Sequence, residues 1–384
     1  MEKLTYLDNA ATTKMFAEEF DFMKENNDTL FFNPSAAYLP ARKVSAALNS
    51  AREDIVGELK GSNGKLYFTS SATESNNTIF QGVHLRAGDV VLISAGEHPS
   101  VYESAHRLEK KGVIVEDIPL DRNGKVDLVK FEKMLSPAVA LVSVIHVSNE
   151  TGAVNDIKNL CTLAKKVNPN IIFHSDGVQA FGKIKVNLKD LGVDLYTISA
   201  HKIHAPRGIA GLWIKNSVLV DSLLVGGGQE DNFRSSTENV FGAIAFAYAA
   251  KKINAEIENN YTKTQDFKKK FLEQLLQSKV AGYVRVNSAE DSLPHIVSIS
   301  VRGIKGEVLM NALEREGVLI STGSACSAKK AGNKTLSAMG IDDELVVGSV
   351  RVSFSPYEEY NFELIGEIFE RNILRFLKNV NVKR

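Results

Sequence analysis

The chain has 384 residues, is 44% hydrophobic and 24% charged, and balances 46 basic against 46 acidic side chains for a net charge of +0. That composition is ordinary for a soluble globular protein and gives room for a large domain plus a smaller one. A neutral balance removes the electrostatic case for binding nucleic acid or a membrane surface, and no apolar run reaches the roughly 18 residues of a membrane helix.

The start, MEKLTYLDNAATTK, lacks the basic residues and apolar run of a secretory signal. Taken alone, its short apolar run and the small polar residues that follow read as a surface arm. Asn33-Pro34-Ser35 marks a loop before a charged helix at about 42–60. Residues 65–70 read as a strand that feeds the turn Ser71-Ala72-Thr73 and a helical run through Ile79, Phe80 and Val83. A strand entering a helix through small residues is a ready anion site, because backbone N–H groups and the positive end of the helix dipole face the ligand. A plain helix cap explains the same Thr equally well, and the Gly-rich spacing of a nucleotide-binding loop is missing.

The alternation continues. Residues 90–95 form a predicted strand ending in Gly96-Glu97-His98, 100–111 a helix, 113–118 and 140–147 strands, the second ending in Ser148-Asn149-Glu150, and 156–167 a helix. Regular βα alternation argues for one parallel sheet with covering helices. The apolar runs 171–173 and 195–198 read as buried parallel strands. The first ends in His174-Ser175-Asp176 and the second in Ser199-Ala200-His201-Lys202. In a parallel sheet, ligands sit beyond the carboxyl ends of the strands, so Asp176 and Lys202 share one crevice. That pairing is what pyridoxal phosphate needs: a Lys for its aldehyde and a carboxylate for its pyridinium nitrogen. The same two residues read alone also fit a solvated ion pair. His146, His174, His201 and His204 leave a metal reading open, without the Cys pairs or H-E-x-x-H helix that would make it specific.

Beyond Gly226-Gly227-Gly228 and Arg234-Ser235-Ser236-Thr237, one long helical stretch is expected from about 240 to 278. The last third is more mixed: a strand at 296–301, a helix at 307–316, a strand at 318–322, a loop carrying Cys326, a short helix at 334–339, a strand at 349–354 and a final helix to Leu377. That suits a smaller α+β domain. Two cysteines are too few for a disulfide framework and fit a reducing cytosol. Cys161 sits among apolar neighbours on a helix and reads as core. Cys326 lies in Gly323-Ser324-Ala325-Cys326-Ser327-Ala328-Lys329-Lys330, a small-residue loop whose cations favour a thiolate.

Several motifs now stand in one order: Leu7-Asp8-Asn9-Ala10-Ala11-Thr12-Thr13, Ser70-Ser71-Ala72-Thr73-Glu74-Ser75-Asn76-Asn77, Glu97-His98, His146-Val147-Ser148-Asn149-Glu150-Thr151-Gly152, His174-Ser175-Asp176-Gly177-Val178-Gln179, Ser199-Ala200-His201-Lys202, Arg234-Ser235-Ser236-Thr237, Gly323-Ser324-Ala325-Cys326-Ser327 and Val350-Arg351-Val352-Ser353-Phe354-Ser355. Together, from about Leu4 to Ser355, they resemble the cysteine desulfurases of the NifS/IscS type, within the class V aminotransferases. The resemblance implies an α/β fold, the fold-type I architecture of pyridoxal-phosphate-dependent transferases. Its large domain, with a mostly parallel central sheet, would span 14–255. Its smaller α+β domain would combine 1–13 with 256–384. It implies conversion of L-cysteine to L-alanine with the sulfur left as a persulfide, with another class V enzyme, a selenocysteine lyase or an aminotransferase, as the alternative.

The resemblance also implies roles. Lys202 anchors pyridoxal 5'-phosphate and, once freed, takes the substrate α-proton. Asp176 pairs with the pyridinium nitrogen, Gln179 and Asn149 bond the ring's phenolic oxygen, and His98 stacks on the ring and assists proton transfer. Ala72, Thr73, Ser199 and His201 hold the phosphate, and Thr237 reaches the phosphate of a partner subunit, which implies a homodimer. Arg351 and Asn149, with Asn33, bind the substrate, and Cys326 is the nucleophile that takes the sulfur and passes it to an acceptor protein such as an iron–sulfur scaffold or a thiolation enzyme. No metal, nucleic acid or membrane is implied, and the compartment is the cytoplasm. The pattern departs at Tyr38, Asp231 and Ser236, where the family often has His, a basic residue and Gly; this touches the substrate entrance and the dimer contact.

Overall fold

The computed structural model describes residues 4–323 and 333–381. In chain order its strands are β1 (Thr5–Tyr6), β2 (Gly64–Thr69), β3 (Val90–Ser94), β4 (Ile114–Ile118), β5 (Val139–Ser143), β6 (Ile172–Asp176), β7 (Leu195–Ser199), β8 (Ala210–Lys215), β9 (Val284–Val286), β10 (Ile296–Val301), β11 (Val318–Leu319) and β12 (Ser349–Ser353). Seven of them form one sheet in the order β2-β8-β7-β6-β5-β3-β4. Within it, β7, β6, β5, β3 and β4 run parallel, whereas β8 is antiparallel to both of its neighbours. β2 therefore points the same way as the parallel strands, and six carboxyl ends open on one edge.

The strands are apolar because helices cover both faces. Leu92, Val142, Phe173 and Ile198 belong to one apolar cluster, and Ile93, Leu141, Leu195 and Leu212 to another. The covering helices show the matching one-sided pattern. Helix Leu39–Glu58 buries Ala41, Val44, Leu48, Ala51 and Ile55. Helix Ile157–Val167 buries Ile157, Leu160, Cys161 and Ala164, starts at an Asp156 cap on the Asn159 N–H, and ends with Lys165 and Lys166 against its negative pole.

A third cluster gathers Phe271, Leu309, Leu313, Val350, Val352 and Phe369 around the antiparallel sheet β9-β10-β12, and it includes Leu7. The N-terminal segment is thus no surface arm. β1 pairs in parallel with β11, and Leu7 is fully buried. The short apolar run at the N-terminus becomes a strand because it meets the strand expected at 318–322, of which Val318–Leu319 pairs with it.

The expected single helix at 240–278 is two, Val240–Ala255 and Ile257–Leu276, parted at Glu256 (φ −104°, ψ 6°). The first is Ala-rich and buried on most of its surface, including Ala243, Ala245, Phe246, Ala249, Ala250 and Ile253. The second buries one stripe, with Phe267, Phe271 and Leu275, in the third cluster. Continuous helix-forming composition hid a change of partner. β8 was also missed: it reads Ala-Gly-Leu-Trp-Ile-Lys, with no polar alternation, and is placed by its antiparallel pairing with β7 and β2. No helix among the described residues is long and apolar enough to cross a membrane.

One buried acid stands out. Glu19, on helix Ala17–Glu25, is 2% exposed, and neither carboxylate oxygen has a hydrogen-bond partner among the described residues. Burial, then Glu18, pushes its pKa up to about 8. Between its ordinary value of 4.5 and 8 the unfolded chain sheds this proton while the folded chain keeps it, so stability falls as pH rises. Glu19→Gln is expected to leave the unfolding free energy unchanged at pH 4 and to raise it at pH 8 by on the order of 2–4 kcal/mol. Denaturant titrations of both proteins at the two pH values check it.

Candidate active site

The open edge of the main sheet carries the polar clusters. β2 runs into Ser70-Ser71 and the helix Ala72–Gly82, where the Ser71 hydroxyl accepts from the Glu74 N–H at 3.2 Å. β3 leads to His98, which caps helix Pro99–His106. β5 leads to Asn149 and β6 ends at Asp176. β7 leads through a single helical turn, Ala200–Lys202, to the lysine. Asp8, Ala10, Ala72, Thr73, His98, Asn149, Asp176, Gln179, His201, Lys202 and Arg351 all line one cavity of about 300 Å3. Nine of these eleven are expected site residues, all but Asp8 and Ala10, and the fold brings them together from distant parts of the chain.

Asp176 is 3% exposed. Its Oδ1 accepts from the Val178 N–H at 3.0 Å and its Oδ2 from Asn76 Nδ2 at 3.0 Å. The next residue, Gly177, leaves room for Tyr196: a Cβ there would lie 2.0 Å from the ring. The Lys202 ammonium donates to the carbonyls of Ala10 and Ala11, each at 2.6 Å, so the N-terminal segment forms one wall of the site. Gln179 is held at both ends of its amide. Nε2 donates to the Ala10 carbonyl at 2.8 Å, and Oε1 accepts from Lys183 at 2.8 Å. Lys183 and Lys202 also border a tighter cavity of about 40 Å3 with His295. Burial, then Lys202 and Arg351, holds the Lys183 amine well below its ordinary range.

Arg351 comes from β12, all of whose residues are buried. Its Nη1 donates to the Asn149 carbonyl at 2.7 Å and its Nη2 to Asp8 Oδ1 at 2.9 Å. Its Nε is buried with no partner among the described residues. A guanidinium with a spare donor in a cavity is suited to an anionic oxygen pair. The Asn149 amide donates to Glu150 Oε1 at 2.9 Å, and Glu150 Oε2 accepts from Asn333 Nδ2 at 2.7 Å.

Burial decides the protonation of the neighbours. It pushes Glu97 well above the carboxylate range, with Asp176 adding to the effect. Glu97 Oε1 accepts from the Ser94 hydroxyl at 2.7 Å and the Ile145 N–H at 2.5 Å, while Oε2 has no partner among the described residues. A neutral Glu97 spares Asp176 a second buried negative charge. Burial also lowers His98, against the pull of Asp176 and Glu150 and with the push of Lys202 and Arg351. It brings His201 down to about 4, with Lys202 next in weight.

The four histidines behind the metal reading are spoken for. His146 bonds the Tyr196 hydroxyl at 2.8 Å, and His174 the hydroxyls of Ser143 at 2.9 Å and Thr197 at 3.1 Å. His201 bonds the Thr12 hydroxyl at 3.1 Å and His204 the Lys14 carbonyl at 2.7 Å. Among the described residues no cluster of three metal-ligating side chains occurs.

Some expected residues lie elsewhere. Ser199 is buried at the end of β7, beside the cavity's residues in sequence and not among those lining it. Thr237 lines a different cavity with Ser70, Arg234 and Ser236. Asn33 is exposed on a loop, where its Oδ1 accepts from the Ser35 N–H at 2.9 Å. Cys326 lies outside the described residues. Cys161 is core, as expected: its thiol donates to the Gly192 carbonyl at 3.2 Å, and burial pushes it up to about 11. Of the departures from the motif pattern, Asp231 pairs with Lys65 and Tyr38 is exposed near Phe32.

Sequence reasoning overlooked Asp8, Asn76, Ser100, Glu150 and Lys183. All except Ser100 and Lys183 stand inside the quoted motifs. Their signal was there, but a partner 100 or more residues away, as for Asn76 with Asp176, is not readable from spacing.

Comparison with known proteins supplies the kinship. The sequence profile described as Aminotransferase class-V matches residues 5–361. A protein named cysteine desulfurase IscS from Dictyoglomus turgidum is 34% identical over 380 residues, 97% of this chain and 95% of that one. A solved structure described as a NifS-like protein superposes with a TM-score of 0.86 at 29% identity, covering 99% of this chain and 100% of the other. Another, described as SspA in complex with cysteine, gives 0.78 at 25% identity over 92% of this chain and 99% of that one. Matched along nearly its whole length in both sequence and fold, this chain belongs to the class-V aminotransferase family.

Proposed function

We propose that the protein is a pyridoxal-phosphate-dependent cysteine desulfurase that takes sulfur from L-cysteine, leaves L-alanine, and carries the sulfur as a persulfide on Cys326. The observation that carries the reading is the convergence of a buried acid, Asp176, and an amine, Lys202, from adjacent parallel strands onto one cavity. Relatives along the full length are named cysteine desulfurases, and one similar structure is described with cysteine bound.

The donor set fits the cofactor. Asp176 is an acceptor-only carboxylate able to keep a pyridine nitrogen protonated. The helix starting at Ala72 offers small residues and backbone N–H groups to a phosphate, with Thr73 and His201 beside it and Ser199 close in the chain. When bound, the cofactor supplies an electron sink for the substrate α-carbon. The chain's own residues do the rest. His98 covers one side of the cavity. Gln179 and Asn149 contribute amides to the ring's oxygen. Arg351 takes the substrate carboxylate through its fork, with Asn149 beside it and Asn33 contributing at the entrance. Lys202, once released, accepts the α-proton as general base. The Cys326 thiolate attacks the substrate sulfur, so that a difficult C–S cleavage is divided into covalent steps.

The same reading divides the chain into a cofactor-binding domain at 14–255 and a small domain of 1–13 with 256–384, makes the protein a cytoplasmic homodimer with Thr237 reaching across to the partner's phosphate, and gives it a sulfur-acceptor protein as a partner.

Three outcomes test it. Purified Lys202→Ala is expected to lose the visible absorbance of a lysine-linked cofactor; unchanged absorbance would mean that another amine is the anchor. Arg351→Lys is expected to raise KM for cysteine and lower kcat/KM about 100-fold, since a point charge replaces a fork with two partners; wild-type kinetics would remove the carboxylate assignment. After incubation with cysteine, mass spectrometry is expected to find one added sulfur on the Cys326 peptide and none in Cys326→Ser. A sulfur on Cys161, or normal sulfide release by the serine variant, would overturn the nucleophile.

A further inference from the structure

A chain of hydrogen bonds runs from Asp176 to His98 through two residues that none of the roles above employs. Asn76, on helix Ala72–Gly82, is fully buried. Its Nδ2 donates to Asp176 Oδ2 at 3.0 Å and to the Ser100 Oγ at 2.9 Å. Ser100, 8% exposed at the start of helix Pro99–His106, bonds His98 Nδ1 through Oγ at 2.8 Å, and its backbone N–H donates to the same nitrogen at 3.2 Å.

The direction of each bond follows from counting protons. An ionised carboxylate only accepts, so the Asn76 group facing Asp176 is the amide NH2. Turning the amide over would set its carbonyl oxygen against the Asp176 carboxylate, and Asn76 Oδ1, without a partner among the described residues, occupies the other side. The second amide hydrogen goes to Ser100 Oγ. That hydroxyl has one proton, and His98 Nδ1 is the partner left for it. The Ser100 backbone N–H cannot turn away, so a proton on His98 Nδ1 would face a fixed donor. Nδ1 is therefore an acceptor twice over.

We propose that Asn76 and Ser100 are positioning residues that hold His98 as a neutral imidazole with its proton on Nε2. Ring orientation and tautomer are then both set from Asp176, the residue expected to govern the cofactor nitrogen, so one carboxylate disposes both sides of the reacting ring. The catalytic consequence rests on the function proposed above; the tautomer is a property of the chain itself. The charged groups around His98 divide: Asp176 and Glu150 favour its protonation, while Lys202 and Arg351 oppose it, and burial sides with the latter pair. Without the two donors at Nδ1 that balance is less one-sided.

The test is nitrogen NMR of 15N-histidine-labelled holoenzyme, with the His98 signal assigned by comparison with His98→Gln. Wild type is expected to show a single Nε2–H tautomer through neutral pH. Ser100→Ala removes the hydroxyl donor, worth about tenfold in the tautomer ratio. A mixed signal should appear, and the His98 pKa should move up. Ser100→Thr keeps a hydroxyl and should restore the wild-type spectrum. Asn76→Ser frees the Ser100 hydroxyl to rotate and should give the mixed signal with Ser100 intact. In Ser100→Ala and Asn76→Ser kcat should fall while KM for cysteine stays within about twofold, and Ser100→Thr should recover it. An Nδ1–H tautomer in the wild type, or a Ser100→Ala spectrum identical to wild type, would overturn the proposal. The visible cofactor band of these samples reports separately on the cofactor reading, because the tautomer is read from the imidazole alone.

Discussion

Asp176 is a carboxylate buried at the end of a strand, and the surrounding structure follows from keeping it there. A buried charge needs donors on every lone pair it presents and no second charge of the same sign nearby. The Val178 N–H and Asn76 supply the donors. Glu97, a buried acid that feels Asp176, is pushed well above the carboxylate range by burial. Asn76 then fixes Ser100, and Ser100 fixes His98. A requirement at one oxygen atom propagates to a ring in the cavity wall.

The site also ties the main sheet to the third apolar cluster. Arg351 on β12 reaches Asn149 beyond β5 and Asp8 on the N-terminal segment, and Lys202 beyond β7 is held by carbonyls of Ala10 and Ala11. Leu7 anchors that segment in the third cluster. The N-terminal residues are thus a strap between elements that share no sheet. Their small side chains, Ala10 and Ala11, let backbone carbonyls approach an ammonium directly.

Much of this was legible in the chain. The period of apolar runs gives the parallel sheet, and once strands are placed, the polar clusters after them must share an edge; Asp176 and Lys202 follow from that alone, whereas His98 and Asn149 stand at strand ends and took their roles from the resemblance. What spacing could not give was anything decided by pairing at a distance. β8 and β9 were missed because a strand takes its identity from the neighbours it pairs with. The N-terminal segment read as an arm because β11 lies more than 300 residues away. The helix at 240–278 read as one because helix propensity does not record which surface a helix covers. Gln179 and Lys183, four residues apart, meet through the run of turns after β6, which spacing alone does not reveal. Thr237 and Asn33 were carried by resemblance, and both lie outside the cavity that gathers the others.

The central claim is that Lys202, and no other amine, meets the cofactor opposite Asp176. Lys183 is the natural rival: it borders the adjoining cavity, and burial holds its amine well below the ordinary range. Borohydride reduction of the pyridoxal-phosphate-loaded protein, followed by peptide mapping, decides between them. The account predicts a single pyridoxyl group on the peptide holding Lys202. A label on Lys183, or one spread over surface lysines, would contradict it.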